Sequence, residues 1–380
     1  MSTTQRQGGA APAGGVTVRH VAAAAGVSIG TVSHVVSGRR RVADGTRERV
    51  ETAIRSLQYR PNRLARSLLE RRTQTVGMLI PDVGNPFFGE LARAVERAAR
   101  AAGYCVVFGN SENDLDVEAR YLVEFVERRV DGLIVVAAAG SSWAGRLPPD
   151  LAVVALDRVP AGSPYDTVIV DNRLGMELAV AHLAELGHRR IGFLGGDIHL
   201  AIGRERASGF RAAVTGRGLR PAWRSTGTFS LESGVRQVER LLQADAAEWP
   251  SALVAANDLI ALGALLACRQ AGVAVPDEMS VVGFDDIPFA GLAFPPLTTV
   301  RQPIAHLGAT AAELLLDRMR GECTEPQGRV LTVRPDFVIR GSTAPPRWEG
   351  PRGPREPRHA NLPRAGEPML EVRGMTAVPP

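Results

Sequence analysis

Two short apolar stripes at helical spacing, joined at Gly26, restrict residues 17–36 to a helical hairpin. Val18, Val21, Ala22 and Ala25 fall on one face of the first helix. Thr17 stands at its N-cap, where its hydroxyl is expected to accept from a free backbone N–H. Gly26 supplies the bend, and Ser28 is placed to cap the second helix. On that helix Val32, Val35 and Val36 point one way. Gly30, Thr31 and His34 point roughly the other way, with Ile29 near the border. A buried valine seam behind small or polar outward residues suits insertion into a DNA major groove. The same pattern fits an ordinary helical hairpin in a core. A third helix is predicted from about Thr46 to Leu57, where Val50, Ala53, Ile54 and Leu57 keep a helical stripe. The eight residues Asn62 to Leu69, after Pro61, are too few for a helix that stands alone, because nucleation costs more than a few hydrogen bonds return.

Several ordered motifs in this stretch carry a resemblance. Gly26-Val27-Ser28, Thr31-Val32-Ser33, Thr46-Arg47-Glu48-Arg49-Val50, Tyr59-Arg60-Pro61-Asn62 and Leu64-Ala65-Arg66-Ser67-Leu68 resemble the headpiece and hinge of the LacI/GalR family of bacterial transcription regulators. The resemblance places Ile29, Gly30 and His34 at base-reading positions. His34 replaces the Arg common there, and lacks a guanidinium's bidentate fork. Thr17, Ser28, Thr31 and Ser33 can bond phosphates, although Thr17 and Ser28 also read simply as caps. Asn62, Ala65 and Leu68 of the hinge complete the implied DNA-binding set. Leu68 is implied to wedge between bases in the minor groove, while Leu64 and Leu68 alone would read as an i, i+4 packing pair. Ala43 stands where the family places a capping Ser, so the third helix has Asp44 as an alternative start.

Charge supports a division of the chain. Residues 1–72 carry 13 Arg against Asp44, Glu48, Glu51 and Glu70, whereas the whole chain has a net charge of only +5. A basic head on an acidic body is the footprint of a phosphate-binding module joined to something that does not bind DNA. At 380 residues and 45% hydrophobic, the chain can bury two or three domain cores. It opens with no charged and then apolar export signal, and no apolar run reaches membrane-spanning length. Cys105, Cys268 and Cys323 are isolated, which fits a reducing cytoplasm and argues against a disulfide framework or a zinc site.

Taken in order, residues 1–15 are expected to be disordered, 16–58 to form the headpiece and 59–72 the hinge. Residues 73–340 should form a two-lobed effector and dimerisation domain, and 341–380 a disordered tail rich in Pro and Arg. From Val76 onward short apolar strands alternate with amphipathic helices, which argues for parallel sheets covered by helices. The rhythm restarts after Val168-Ile169-Val170-Asp171-Asn172, giving two lobes and a cleft between them. Ligands in such sheets sit beyond the carboxyl ends of the strands. The body also resembles the family, in Asn85-Pro86-Phe87-Phe88, Glu205-Arg206-Ala207-Ser208-Gly209-Phe210, Ala256-Asn257-Asp258 and Val281-Val282-Gly283-Phe284-Asp285-Asp286. The implied fold class is a small all-α helix-turn-helix DNA-binding domain plus a two-lobed α/β effector domain like the type I periplasmic binding proteins. Crossovers between lobes are implied near Asp171, Gln302 and Pro335.

The resemblance places Arg206 and Asp285 at effector-contacting positions, with Phe87, Asp157, Phe229 and Asn257 at further ones. A fork donor, an acceptor and an aromatic wall suit a sugar or related polar metabolite. Arg206 and Asp285 equally fit a surface ion pair, and Phe87 and Phe229 plain core packing. No metal-ligand spacing, nucleophile elbow or P-loop is present, and no cofactor is expected. His188 reads as structural. The expectation is a cytoplasmic, nucleoid-associated regulator, a repressor working as a homodimer on a palindromic operator, with no membrane contact. A solute-binding protein with no DNA role and an α/β enzyme are the alternatives.

Overall fold

The computed structural model describes residues 16–37, 40–59, 72–143, 146–160, 162–323 and 328–346. The expected disordered start at 1–15, most of the hinge with Asn62, Ala65 and Leu68, and the tail beyond Pro346 lie outside the described residues. The chain divides into two compact units, Met1–Gln74 and Thr75–Pro380.

In the first unit α1 spans Val18–Ala25, α2 Ile29–Ser37 and α3 Asp44–Ser56. Val21, Ala22, Ala25, Val32, Val35, Val50 and Ala53 form its core, with Val18, Val36, Ile54 and Leu57 packed around them. Gly26 takes φ 64°, and the Val27 N–H reaches Ala22 O at 3.0 Å, closing α1 with a left-handed cap that favours glycine. Ser28 caps α2 as expected, its Oγ accepting from Thr31 N at 3.1 Å. Thr17 is the N-cap of α1, as expected, and shares a capping box with His20. Its own N–H donates to His20 Nδ1 at 3.2 Å. The imidazole three residues on takes the reciprocal half of the capping arrangement. Helix α3 starts at Asp44 rather than Thr46, behind an Ala43 that offers no side-chain cap.

The second unit holds two six-stranded sheets. The first contains β1 (Thr75–Ile80), β2 (Cys105–Asn110), β3 (Gly132–Val135), β4 (Ala152–Leu156), β5 (Asp166–Val170) and β11 (Val330–Val333), in the order β11-β5-β4-β3-β1-β2, all parallel. The second contains β6 (Arg190–Leu194), β7 (Arg220–Ser225), β8 (Ala252–Ala255), β9 (Ser280–Asp285), β10 (Thr298–Arg301) and β12 (Asp336–Val338), in the order β12-β10-β9-β8-β6-β7. Among the described residues only the β10–β12 pair is antiparallel. Central strands β3, β4, β8 and β9 are buried throughout, as parallel strands covered on both faces must be.

Helices α4 (Pro86–Ala101), α5 (Leu115–Glu127) and α11 (Ile304–Arg320) belong to the first lobe. The second lobe holds α6 (Asn172–Glu185), α7 (Ala201–Gly216), α8 (Leu231–Leu242), α9 (Asp258–Gln270) and the short α10 (Pro288–Leu292). The chain passes between lobes at Asp171, at Gln302-Pro303 and at Arg334-Pro335, where the resemblance places the crossovers. The late return to the first lobe is fixed by charge. Asp166, 1% exposed, accepts from Arg318 Nε at 2.9 Å and Arg329 Nη2 at 2.8 Å, tying β5 to α11 and to the lead-in of β11. Burial alone would raise this carboxyl, but the two guanidiniums hold it well below the usual carboxylate range.

The expected start of the tail at residue 341 is overturned for its first six residues. Ser342 is fully buried and donates to Val281 O at 2.6 Å, and Ala344 N donates to Ser280 Oγ at 3.1 Å. His188 holds the same segment: Nδ1 meets Ser251 Oγ at 2.8 Å and Nε2 meets Ala344 O at 3.0 Å. Burial pushes this imidazole down to about 4. The unfolded chain therefore binds a proton that the fold excludes, so the stabilisation is complete above pH 6.5 and is lost as pH falls toward 4. Relative to His188→Gln, the wild type should lose on the order of 3 kcal/mol across that window in denaturant titrations. A pH-independent difference would refute this. No described helix is long and apolar enough to cross a membrane.

Candidate functional site

One group of polar residues of the second unit, with Gly196 and Phe229 beside them, gathers just past the carboxyl ends of its strands. Asp82 and Asn85 follow β1, Ser111 and Asn113 follow β2, and Asp157 and Arg158 follow β4 in the first lobe. Gly196, Phe229 and Asn257 follow β6, β7 and β8, and Asp285 ends β9, in the second. That is where an open α/β sheet exposes free backbone groups and leaves a crevice.

Arg206 lies at the centre. It projects from α7, is 2% exposed and is the largest fully buried side chain among the described residues. Its Nε donates to Asn172 Oδ1 at 2.8 Å, and its Nη1 donates to Ala256 O at 2.7 Å and lies 3.4 Å from Asp285 Oδ1. The guanidinium stacks 3.7 Å from the Phe284 ring centre. Asn172 is itself fixed, its Nδ2 donating to Glu205 Oε2 at 2.7 Å. The Arg206–Asp285 pair is thus interior, which removes the surface ion-pair alternative. Burial lifts the Asp285 carboxyl to about 6, against the opposing pull of Arg206 and of Gln302, whose Nε2 donates to it at 2.7 Å. Asp258 accepts from Thr299 Oγ1 at 2.6 Å and Ile287 N at 2.9 Å; burial and the nearby Asp285 raise it well above the carboxylate range.

Backbone strain concentrates here too. Asp157, Asp285 and Asp286 have φ of 61°, 123° and 60°. Such values are uncommon outside glycine and cluster at ligand clamps. Asp157 is 5% exposed, and burial raises its carboxyl while Arg206 and Arg158 pull it back.

The structure brings four of the six sequence-expected effector residues to one place: Asp157, Arg206, Phe229 and Asp285. Phe229 faces both guanidiniums, 5.8 Å from Arg158 and 5.9 Å from Arg206. A Cβ on Gly196 would lie 2.4 Å from the tip of that ring, so glycine is what lets Phe229 reach its position. Asn257 is used locally, its Oδ1 capping α9 through Ile260 N at 3.0 Å. Phe87 is 2% exposed, meets Phe88 edge to face at 5.1 Å and packs into the first-lobe core. Sequence reasoning missed Arg158, Asn172 and Gln302. The Asp157-Arg158 pair directly after an apolar strand was the available signal for the first.

In the headpiece Ile29 is 46% exposed, Thr17, Ser28 and Gly30 are exposed, and Thr31, Ser33 and His34 are partly covered. The Ser28 and Thr31 hydroxyls lie 2.9 Å apart. Among the described residues no cluster of three His, Cys, Asp or Glu could hold a metal ion.

Comparison with known proteins bears on both units. Residues 17–62 match the model for bacterial regulatory proteins of the lacI family, and residues 180–343 that for the periplasmic binding protein-like domain. The chain is 37% identical over 331 residues to the HTH-type transcriptional repressor PurR of Aliivibrio salmonicida, covering 86% of this chain and 98% of the relative. It is 38% identical over 332 residues to PurR of Photobacterium profundum, with the same coverage. Among solved structures it resembles the lac repressor dimer bound to operator and the anti-inducer ONPF, with TM-score 0.79 and 29% identity, covering 87% of this chain and all of that one. It also resembles a complex of the transcriptional regulator CelR with cellobiose, with TM-score 0.65 and 33% identity, covering 86% and 99%.

Proposed function

Because the chain belongs to the lacI family of bacterial regulatory proteins, we propose that it represses transcription as a homodimer on a palindromic operator, with a small polar molecule in the second unit setting its affinity. Its DNA contacts are proposed at Thr17, Ser28, Ile29, Gly30, Thr31, Ser33 and His34, and at Asn62, Ala65 and Leu68 of the hinge. Gly30 has no side chain and His34 no fork, so part of the sequence preference comes from DNA shape. The cytoplasm is the compartment in which such a protein meets its operator.

The observation that carries the effector reading is Arg206, a buried guanidinium gripping Asn172, Ala256 and Asp285 at the mouth of the second sheet. Asp285 also bonds Gln302, which lies in a crossover between lobes. Occupancy at Asp285 therefore acts on a strap that both lobes share. A ligand binding one lobe angle better than the other shifts the population of that angle, and the hinges of the dimer follow. The ligand class proposed is a sugar or related polar metabolite. Cellobiose in the CelR complex is a ligand of that class on a similar body.

Apolar residues exposed on both lobes support a second copy as partner. They are Val107 (37%) and Phe108 (44%) on edge strand β2, and Leu292 (79%) and Phe294 (88%) at and after α10.

A salt titration tests the DNA half. Fluorescence anisotropy of the full chain on a palindrome recovered from its own promoters should show affinity falling about 10³-fold or more between roughly 50 and 200 mM salt, as expected for at least six phosphate contacts. A solute-binding protein would show no saturable operator at all.

A further inference from the structure

Resting on the effector reading above, we infer that the molecule taken by the cleft is an anion, a hydroxylated metabolite bearing a carboxylate or phosphate, and that Arg158 holds its charge. Arg158 is 5% exposed. Its Nη1 donates to Asn113 Oδ1 at 2.6 Å, and its buried Nε has no partner among the described residues. No described carboxylate oxygen lies within 4.0 Å of it, whereas the other deeply buried guanidinium, Arg206, has Asp285 at 3.4 Å. The guanidinium instead faces two rings, Phe88 at 5.0 Å and Phe229 at 5.8 Å.

A buried cation with one neutral hydrogen bond is expensive, and aromatic faces return only part of the cost. Its surroundings offset the charge incompletely. Asp157, Asp285 and Asp82 favour it from a distance, Arg206 repels it, and burial is the largest influence against it. An anionic ligand would remove this deficit; a neutral one would leave it. Of the three further buried polar atoms without a partner among the described residues, Trp223 Nε1 lies on β7, and the other two bear on the cleft: Ser111 Oγ, two residues before Asn113, and Gln302 Oε1, on the amide that holds Asp285. A hydroxyl donor at Ser111 adds to an anion site, and an acceptor at Gln302 takes a ligand hydroxyl. The charged end thus belongs to the first lobe at Arg158, and the hydroxyl end to the second at Arg206 and Asp285.

The test uses the full chain, three probes at matched ionic strength, and Arg158→Met. At least one of inorganic phosphate and D-gluconate should raise the Tm of the wild type, and D-glucose should not. The two anions separate phosphate from carboxylate preference. In R158M the affinity for whichever anion binds should fall about 10- to 100-fold, the range for a hydrogen-bonded charge. The ligand-free R158M protein should melt no lower than the wild type, because the substitution removes an uncompensated charge. A purely structural Arg158 would instead lower Tm. Failure of both anions to bind, glucose binding as well as gluconate, anion binding that survives R158M, or a Tm loss in ligand-free R158M would each overturn the assignment. If operator affinity responds to glucose and to neither anion, the anion assignment falls and the effector reading stands. If gluconate or phosphate binds through Arg158 and leaves operator affinity unchanged, the effector reading falls alone.

Discussion

Replacing Arg206 by methionine should destabilise the second unit by about 3–5 kcal/mol and abolish the response of operator affinity to ligand. The size follows from what is left behind. Asp285 loses its ion-pair partner while 4% exposed, Asn172 Oδ1 and Ala256 O each lose a donor, and Phe284 loses the plate stacked on its ring. Breaking a buried pair from one side costs this much because the remaining charge has no solvent to turn to. Arg206 is also the main force opposing the burial of Asp285, so that carboxyl should rise beyond about 6 in the variant. Urea titration of wild type, R206M and R206M/D285N measures the effect. The double variant should recover part of the loss, since it removes the orphaned charge. A single-variant loss below about 1 kcal/mol would mean that the cluster is solvated in a way its geometry does not show.

The second large effect concerns assembly. Phe294→Asp should convert the protein to a monomer and weaken operator binding by about 10²-fold or more, the factor gained when a second headpiece binds an already tethered site. Phe294 is 88% exposed and Leu292 79%, so a charge there costs the isolated fold little and a dimer interface a great deal. Sedimentation velocity and anisotropy on one operator check both halves. A dimer that persists would place the interface elsewhere, on the edge strand with Val107 and Phe108 as the next choice.

Much of this was readable from residues, and the failures have physical causes. The alternation of apolar runs and helical stripes from Val76 onward announced two lobes of parallel sheet covered by helices, and its restart after Asn172 falls where the chain enters the second lobe. Strand β7, Arg220–Ser225, went unseen because its two arginines and one proline carry no apolar alternation; an edge strand tolerates that. Helix α11, Ile304–Arg320, has Leu307, Ala311, Leu314 and Leu315 at helical spacing, yet nothing local says that it returns to the first sheet. That return is written in Asp166 and in Arg318 and Arg329, 152 and 163 positions further on, whose pairing exists only in the fold. Strands β11 and β12, of four and three residues, are too short for periodicity to register.

At the site, Arg206 and Asp285 were legible through resemblance, and the structure supplied what resemblance lacked, namely their burial. Arg158 offered only its place beside Asp157 at the end of an apolar strand, which marks a position and not a role. What distinguishes it is that no described carboxylate oxygen comes within 4.0 Å of its guanidinium, a property of the tertiary neighbourhood that no spacing in the sequence encodes. Thr17 shows the reverse case: its type predicted a cap, and the His20 imidazole adds the reciprocal bond to the Thr17 N–H.

The measurement closest to the heart of the account is recovery of bound DNA. Full-length protein incubated with fragments of its own genome at about 150 mM salt, the physiological range, should retain a small set of fragments. Those fragments should share one inverted repeat and be footprinted symmetrically about its centre. Retention of fragments with no common repeat, a footprint over a single half-site, or no retention at that salt would contradict it.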